Sequence, residues 1–189
     1  MAFVHNWRKG RADYARLRLG NATLKATADK LIKLLTEGGF KFSIAGGYAV
    51  QHHGYPRFTE DVDIIVQDID KVRDYLRIRG FKAAPGARTI MYDRATKVEI
   101  NLLPSGVKLT PKSDPIPEPD EEVLSLAQLL NNKLSSYKSS PMRRARDLGD
   151  VTELIQRNAL PRDFPVTDIA FYQQIWDDLQ NEVQPDNPT

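Results

Sequence analysis

The chain has 189 residues, 27 Lys and Arg against 25 Asp and Glu, a formal net charge of +2, and no cysteine. So even a balance does not by itself argue for a nucleic-acid or membrane partner, and the missing thiols exclude disulfides and thiolate metal sites. With hydrophobic content of 41% and charged content of 28%, the composition is that of a folded protein with a real core.

Residues 1–20 read as a basic arm, in which Arg8, Lys9, Arg11, Arg16 and Arg18 stand against Asp13 for a local charge of +4. Such a run is either a solvated segment or a phosphate-binding one, with Trp7 and Tyr14 able to stack on bases. Met1-Ala2-Phe3-Val4-His5 has no secretory-leader core and no apolar run spans a bilayer, so a cytoplasmic location without a membrane partner is expected. From Asn21 to Glu37, Leu24, Ala28, Leu31, Leu34 and Leu35 recur at helical spacing, with Asn21 as cap and Gly38-Gly39 as terminator.

Phe40 to Ala45 alternates as a strand, which places Gly46-Gly47 where that strand turns into a short helix. Glycines there let backbone N–H groups approach a ligand, and a helix start favours negative charge, so the turn is a candidate phosphate seat. Val62 to Val66 reads as the next strand, and residues two apart on a strand share a face, so Asp61 and Asp63 aim at one small volume. Two like charges at about 4 Å repel by roughly 4 kcal/mol at an effective dielectric of about 20, so such a pair calls for a divalent cation or a shared proton. Oxygen-only ligands suit magnesium, with manganese as the alternative.

In order, Gly46, Gly47, Ala49, Arg57, Thr59, Asp61 and Asp63 form a pattern that resembles the nucleotidyltransferase superfamily of polymerase-beta-like fold. Within it the chain is similar to the AbiEii/MenT-type toxin nucleotidyltransferases and to the aminoglycoside and lincosamide nucleotidyltransferases. The resemblance implies an α+β fold, a mixed sheet flanked by helices with a C-terminal helical part. It also implies a nucleoside triphosphate, ATP among them, as donor. Asp61 and Asp63 would hold magnesium. Gly46, Gly47 and the Tyr48 amide would contact phosphates, with Arg57 and Thr59 also on the nucleotide.

Asp70 to Arg79 reads as a helix, Phe81 to Ala84 as a short strand, and Thr89 to Tyr92 with Lys97 to Leu103 as a hairpin turning near Arg94-Ala95. In the second arm Val98, Ile100 and Leu102 share one face, and Glu99 and Asn101 the other. The resemblance places a third acid here, on the metal or taking a proton from the acceptor; Glu99 is the candidate, with Asn101 competing for its register.

Five prolines from Pro104 to Pro119 mark an extended connector, so residues 21–118 read as the core and 119–189 as the C-terminal helical part. Asp120-Glu121-Glu122 would open a helix whose buried stripe is Val123, Leu126, Ala127, Leu130 and Leu134. The resemblance assigns Lys133 to the nucleotide phosphates and Asp147 to positioning the site, whereas a lysine at a stripe edge ordinarily reaches to water. Val166 to Asn181 reads as a last helix, and His52 and His53 as packing or surface residues, with no further histidine at metal spacing.

The acceptor is an RNA end if the toxin branch is the model, and a cognate antitoxin would then be a partner. A small hydroxylated compound such as an aminoglycoside or lincosamide is the alternative, with Asp114, Glu118 and Asp120 to Glu122 as candidate lining. A non-catalytic nucleotide-binding module is the third reading.

Overall fold

The computed structural model describes residues 22–183; the basic arm lies outside them. Helix α1 is described over 22–37, followed by β1 (Phe42–Ala45), α2 (Gly46–His52), β2 (Asp61–Val66), α3 (Ile69–Arg77), β3 (Phe81–Ala83), β4 (Ile90–Asp93) and β5 (Glu99–Pro104). Then come α4 (Leu126–Ser139), α5 (Ala145–Arg157) and α6 (Ile169–Val183). This is the α+β class expected from the sequence.

The five strands form one sheet in the order β1-β2-β5-β4-β3. Only β2 and β5 run parallel, and their register sets Asp61 beside Glu99 and Asp63 beside Asn101. Paired positions share a face, so all four polar side chains emerge on the same side of the sheet. The opposite side carries Val62, Ile64, Ile100 and Leu102, all fully buried. That alternation pins the register, since a one-residue slip would put the acids into the core. α3 begins where the Asp68 side chain accepts from the Lys71 amide at 3.0 Å, an N-cap one turn before the apolar positions Val72 and Leu76.

Two expectations are corrected. The proline-rich connector doubles back instead of running extended, the Gly106 amide donating to the Ile116 carbonyl and the Ile116 amide to Val107, at 2.8 and 2.9 Å. And α4 starts at Leu126, not at the acids. Residues 120–124 stay extended because they complete the edge of β1: Ile44 donates to the Glu122 carbonyl and accepts from Leu124, at 2.9 and 2.8 Å. An unpaired sheet edge outcompetes the dipole preference that placed Asp120, Glu121 and Glu122 in a first turn. Buried side chains of the sheet and of α4, α5 and α6 belong to a single hydrophobic cluster.

Candidate active site

The Asp61 and Asp63 side chains converge as strand geometry requires. The Asn101 side-chain nitrogen donates to Asp61 Oδ2 and to Asp63 Oδ1, both at 3.1 Å. Thr59 is buried, and its hydroxyl donates to Asp61 Oδ1 at 2.9 Å. No lysine or arginine reaches ion-pair distance of either carboxylate among the described residues. Burial first, and the Asp61 charge second, push the Asp63 carboxyl above the ordinary carboxylate range, opposed by the Asn101 hydrogen bond and the more distant Lys133 and Arg57.

The glycine pair is shaped to these same residues. Gly46 sits at φ +58, and a Cβ there would lie 1.8 Å from Asp63 Oδ2; a Cβ on Gly47 would lie 2.5 Å from Thr59 Oγ1. The pair is therefore required by close packing against Asp63 and Thr59 as well as by any ligand. α2 has seven residues and no side-chain cap on its first amides, so the N–H groups themselves, more than a long dipole, are what this turn offers a phosphate. Burial first, and the charge of Asp29 on α1, push the Tyr48 hydroxyl above its ordinary pKa, while its amide belongs to the first turn of α2. His53 ties α2 to the connector, its Nε2 sitting 2.8 Å from the Leu124 carbonyl.

Glu99 lies beside Asp61 in register but is engaged by Tyr92, whose hydroxyl donates to Glu99 Oε2 at 2.8 Å. Among the described residues no three His, Asp or Glu side chains are gathered tightly enough to make a ready metal cluster. The donor set still suits a hard cation: two carboxylates within reach of one atom, and an amide whose rotation would present oxygen where it now presents nitrogen.

Lys133 does not reach to water. It is 8% exposed, on the buried side of α4 with Leu129, Leu130 and Leu134, and its ammonium lies 2.8 Å from Asp147 Oδ1 and 2.7 Å from Asp150 Oδ2. Arg57 meets Asp150 from the other side, Nε at 2.7 Å from Oδ1 and Nη2 donating to Oδ2 at 3.1 Å. Arg57 thereby joins the loop before β2 to α5. Asp147 Oδ2 is buried without a hydrogen-bond partner, with Arg144 Nη1 at 3.8 Å.

Each member of the Asp pair lines a cavity of its own. One of about 160 Å³ is lined by Gly46, Asp63, Lys133, Arg144 and Asp147 among others. The other, about 570 Å³, is lined by Phe58, Thr59, Glu60, Asp61, Tyr92, Lys97, Glu99 and Arg146. Of the acids considered for an acceptor pocket, Asp114 and Glu118 line a third cavity, and the Asp120–Glu121 segment is bound to Ser43 of β1.

Asn101, Tyr92 and Asp150 are the members that sequence reasoning undervalued. For Asp150 a signal existed: Asp147, Asp150, Val151, Leu154 and Ile155 share one helical face, so two acids interrupt an apolar stripe and demand buried cations. Nothing local marks Tyr92 as the partner of Glu99.

No family model matches the chain, and no curated protein matches it. Among solved structures, that of the antibiotic-resistance factor ANT(2'')-Ia covers 84% of this chain and 94% of its own, at 10% identity and a TM-score of 0.49. At that level it stands as a likeness and no more. No helix among the described residues is long and apolar enough to cross a membrane.

Proposed function

We propose that the chain is a nucleotidyltransferase that moves a nucleoside monophosphate from a nucleoside triphosphate to an acceptor hydroxyl. The observation that supports this best is the convergence of Asp61 and Asp63 on one Asn101 nitrogen, at 3.1 Å each, with no lysine or arginine of the described residues at ion-pair distance. Like-charged carboxylates kept that close, on the lip of a groove containing Lys133 and Arg144, suit a divalent cation and a polyphosphate.

Asp61 and Asp63 would hold magnesium or manganese, with Glu99 or the Asn101 oxygen completing the set. When bound, the cation neutralises charge developing on the transferred phosphoryl group. The chain supplies the rest. Thr59 and Asn101 hold both carboxylates in place. The amides of Gly46, Gly47 and Tyr48, with Lys133 and Arg144, face the triphosphate from the Asp63 side. The acceptor hydroxyl enters from the Asp61 side, where Glu99 takes its proton as the oxygen bonds to the α-phosphorus. The bond from that phosphorus to the bridging oxygen breaks, and pyrophosphate leaves.

For the acceptor we favour an RNA end, because Lys97 and Arg146 give the 570 Å³ chamber cations that can meet a phosphate backbone. A toxin with a cognate antitoxin is the setting that goes with it. Glu60 and Glu99 in the same chamber favour the second reading, a cationic aminated sugar. Each labelled nucleoside triphosphate, supplied with magnesium to total RNA, lysate protein and a panel of hydroxylated antibiotics, separates these. Label is expected on RNA; label on an antibiotic moves the assignment to the second reading. Label on none, with no pyrophosphate released, removes the enzyme.

A further inference from the structure

Among the described residues Phe58 is the only phenylalanine, tyrosine or tryptophan that is exposed, at 42%. Its neighbours do not let it retreat. Arg57 is tied to Asp150 of α5, and its Nη1 donates to the Phe58 carbonyl at 3.0 Å. On the other side Thr59 is buried, with its hydroxyl on Asp61. The backbone is thus fixed on both sides of an aromatic residue in the wall of the 570 Å³ chamber that Asp61 and Glu99 also line. An isolated exposed apolar side chain is ordinary on a surface; one held in a cavity wall three residues from Asp61 offers a stacking platform.

The same chamber sorts its charges. Lys97 is engaged, its ammonium donating to the Arg94 carbonyl at 2.6 Å. Arg146 lines the chamber, is exposed, and among the described residues has no carboxylate at ion-pair distance. It stands in the first turn of α5, where the helix dipole disfavours a cation, so the helix gains nothing from its charge. Glu60 and Glu99 are the chamber's other acids, and carboxylates accept from hydroxyls while repelling phosphates. An aromatic platform, one free guanidinium and hydroxyl-accepting carboxylates match the three parts of a nucleotide: base, phosphate and ribose.

We propose that this chamber seats the terminal nucleotide of the acceptor RNA, its base stacked on Phe58, its phosphate against Arg146 and its ribose toward Asp61 and Glu99. The three residues from Phe58 to Asp61 span at most about 10 Å of chain, a distance that one nucleoside bridges. Every base has a π-face, so the stack grips the end of the strand without selecting its sequence. The inference rests on the nucleotidyltransferase reading with an RNA acceptor, and names the residues that hold that acceptor's end.

Binding of a short labelled single-stranded RNA to the whole chain in magnesium, read by fluorescence anisotropy, tests it without turnover. Removing the terminal base, so that the strand ends in an abasic ribose, is expected to weaken binding to the native chain roughly tenfold. In Phe58→Ala the same removal should cost almost nothing, and Phe58→Tyr should restore the native factor. Exchanging the terminal base among the four should change affinity by less than about threefold. Arg146→Ala should flatten the salt dependence of binding by a slope of about 0.7. A base effect absent from the native chain, one that persists in Phe58→Ala, or an unaltered salt slope in Arg146→Ala would overturn the proposal. If RNA still takes label from a nucleoside triphosphate, the seat alone fails. If a hydroxylated antibiotic takes the label and RNA neither binds nor takes it, the RNA acceptor fails with the seat. If nothing takes label, the nucleotidyltransferase reading fails as well.

Discussion

The molecule holds two pairs of aspartates, built differently. Asp61 and Asp63 are two apart on a strand, bridged by one neutral amide, and among the described residues no lysine or arginine comes to ion-pair distance of them. Asp147 and Asp150 are three apart on α5, with Lys133 between them and Arg57 on the far side of Asp150. In the helical pair the charges are met by cations within the fold, while Asp147 Oδ2 keeps no hydrogen-bond partner. In the strand pair, burial first and the Asp61 charge second raise the Asp63 pKa, against the Asn101 hydrogen bond.

The sharpest way to break this contrast is Asp150→Ala. It leaves Arg57, its side chain 12% exposed, without its buried carboxylate and Lys133 with Asp147 alone, and should destabilise the fold by about 3–5 kcal/mol in chemical denaturation. A loss under about 1 kcal/mol would mean that the network contributes little.

Asp63→Asn should do the reverse. Activity falls by about a thousandfold or more, while the fold in chelator at neutral pH is as stable or more so. The sign follows from the raised pKa: the native chain holds the proton more tightly than the unfolded one, so ionising Asp63 costs stability as pH rises from the ordinary carboxylate value through the native one. The advantage of the Asn variant over native protein should therefore shrink as pH is lowered below that ordinary value. Thermal melts across acid to neutral pH check it, and an Asp63→Asn variant less stable at neutral pH would make the pair structural.

The glycines next to each pair extend the comparison to smaller effects. Gly46→Ala combines φ +58 with a Cβ 1.8 Å from Asp63 Oδ2, and should cost about 1–3 kcal/mol and misplace the carboxylate, visible as weakened magnesium-dependent nucleotide binding. Gly149, between Asp147 and Asp150 inside α5, would place a Cβ in open space. Gly149→Ala should stabilise the chain by about 0.5–1 kcal/mol in the same denaturation assay. A destabilising Gly149→Ala would show that α5 needs room there for a ligand or partner.

Part of this was legible in advance for reasons of local geometry. Period two along β2 sets Asp61 and Asp63 on one face, the same period puts Glu99 and Asn101 opposite Ile100 and Leu102, and period 3.6 marks the apolar faces of α3 and α6. Those statements need only the chain's own dihedral angles. Lys133 was harder, because whether a lysine at the edge of a stripe turns outward or inward depends on what the neighbouring helix presents. Here α5 presents two acids. Arg57 meets Asp150 across 93 positions of sequence, and Asn101 reaches Asp61 and Asp63 across 40 and 38.

By itself, then, the sequence determined which residues share a face and where the chain turns, since periodicity and glycine placement are consequences of backbone geometry over a few residues. Only the tertiary structure decided that the Asn101 amide hydrogen-bonds both members of the Asp pair, that Tyr92 engages Glu99, that residues 120–124 complete β1 instead of opening a helix, and that Arg57 pairs with Asp150. Each of these depends on the parallel pairing of β2 with β5 or on the docking of α4 and α5 against the sheet. Such pairings close long loops and are set by the summed packing of whole elements, which no short window of sequence contains.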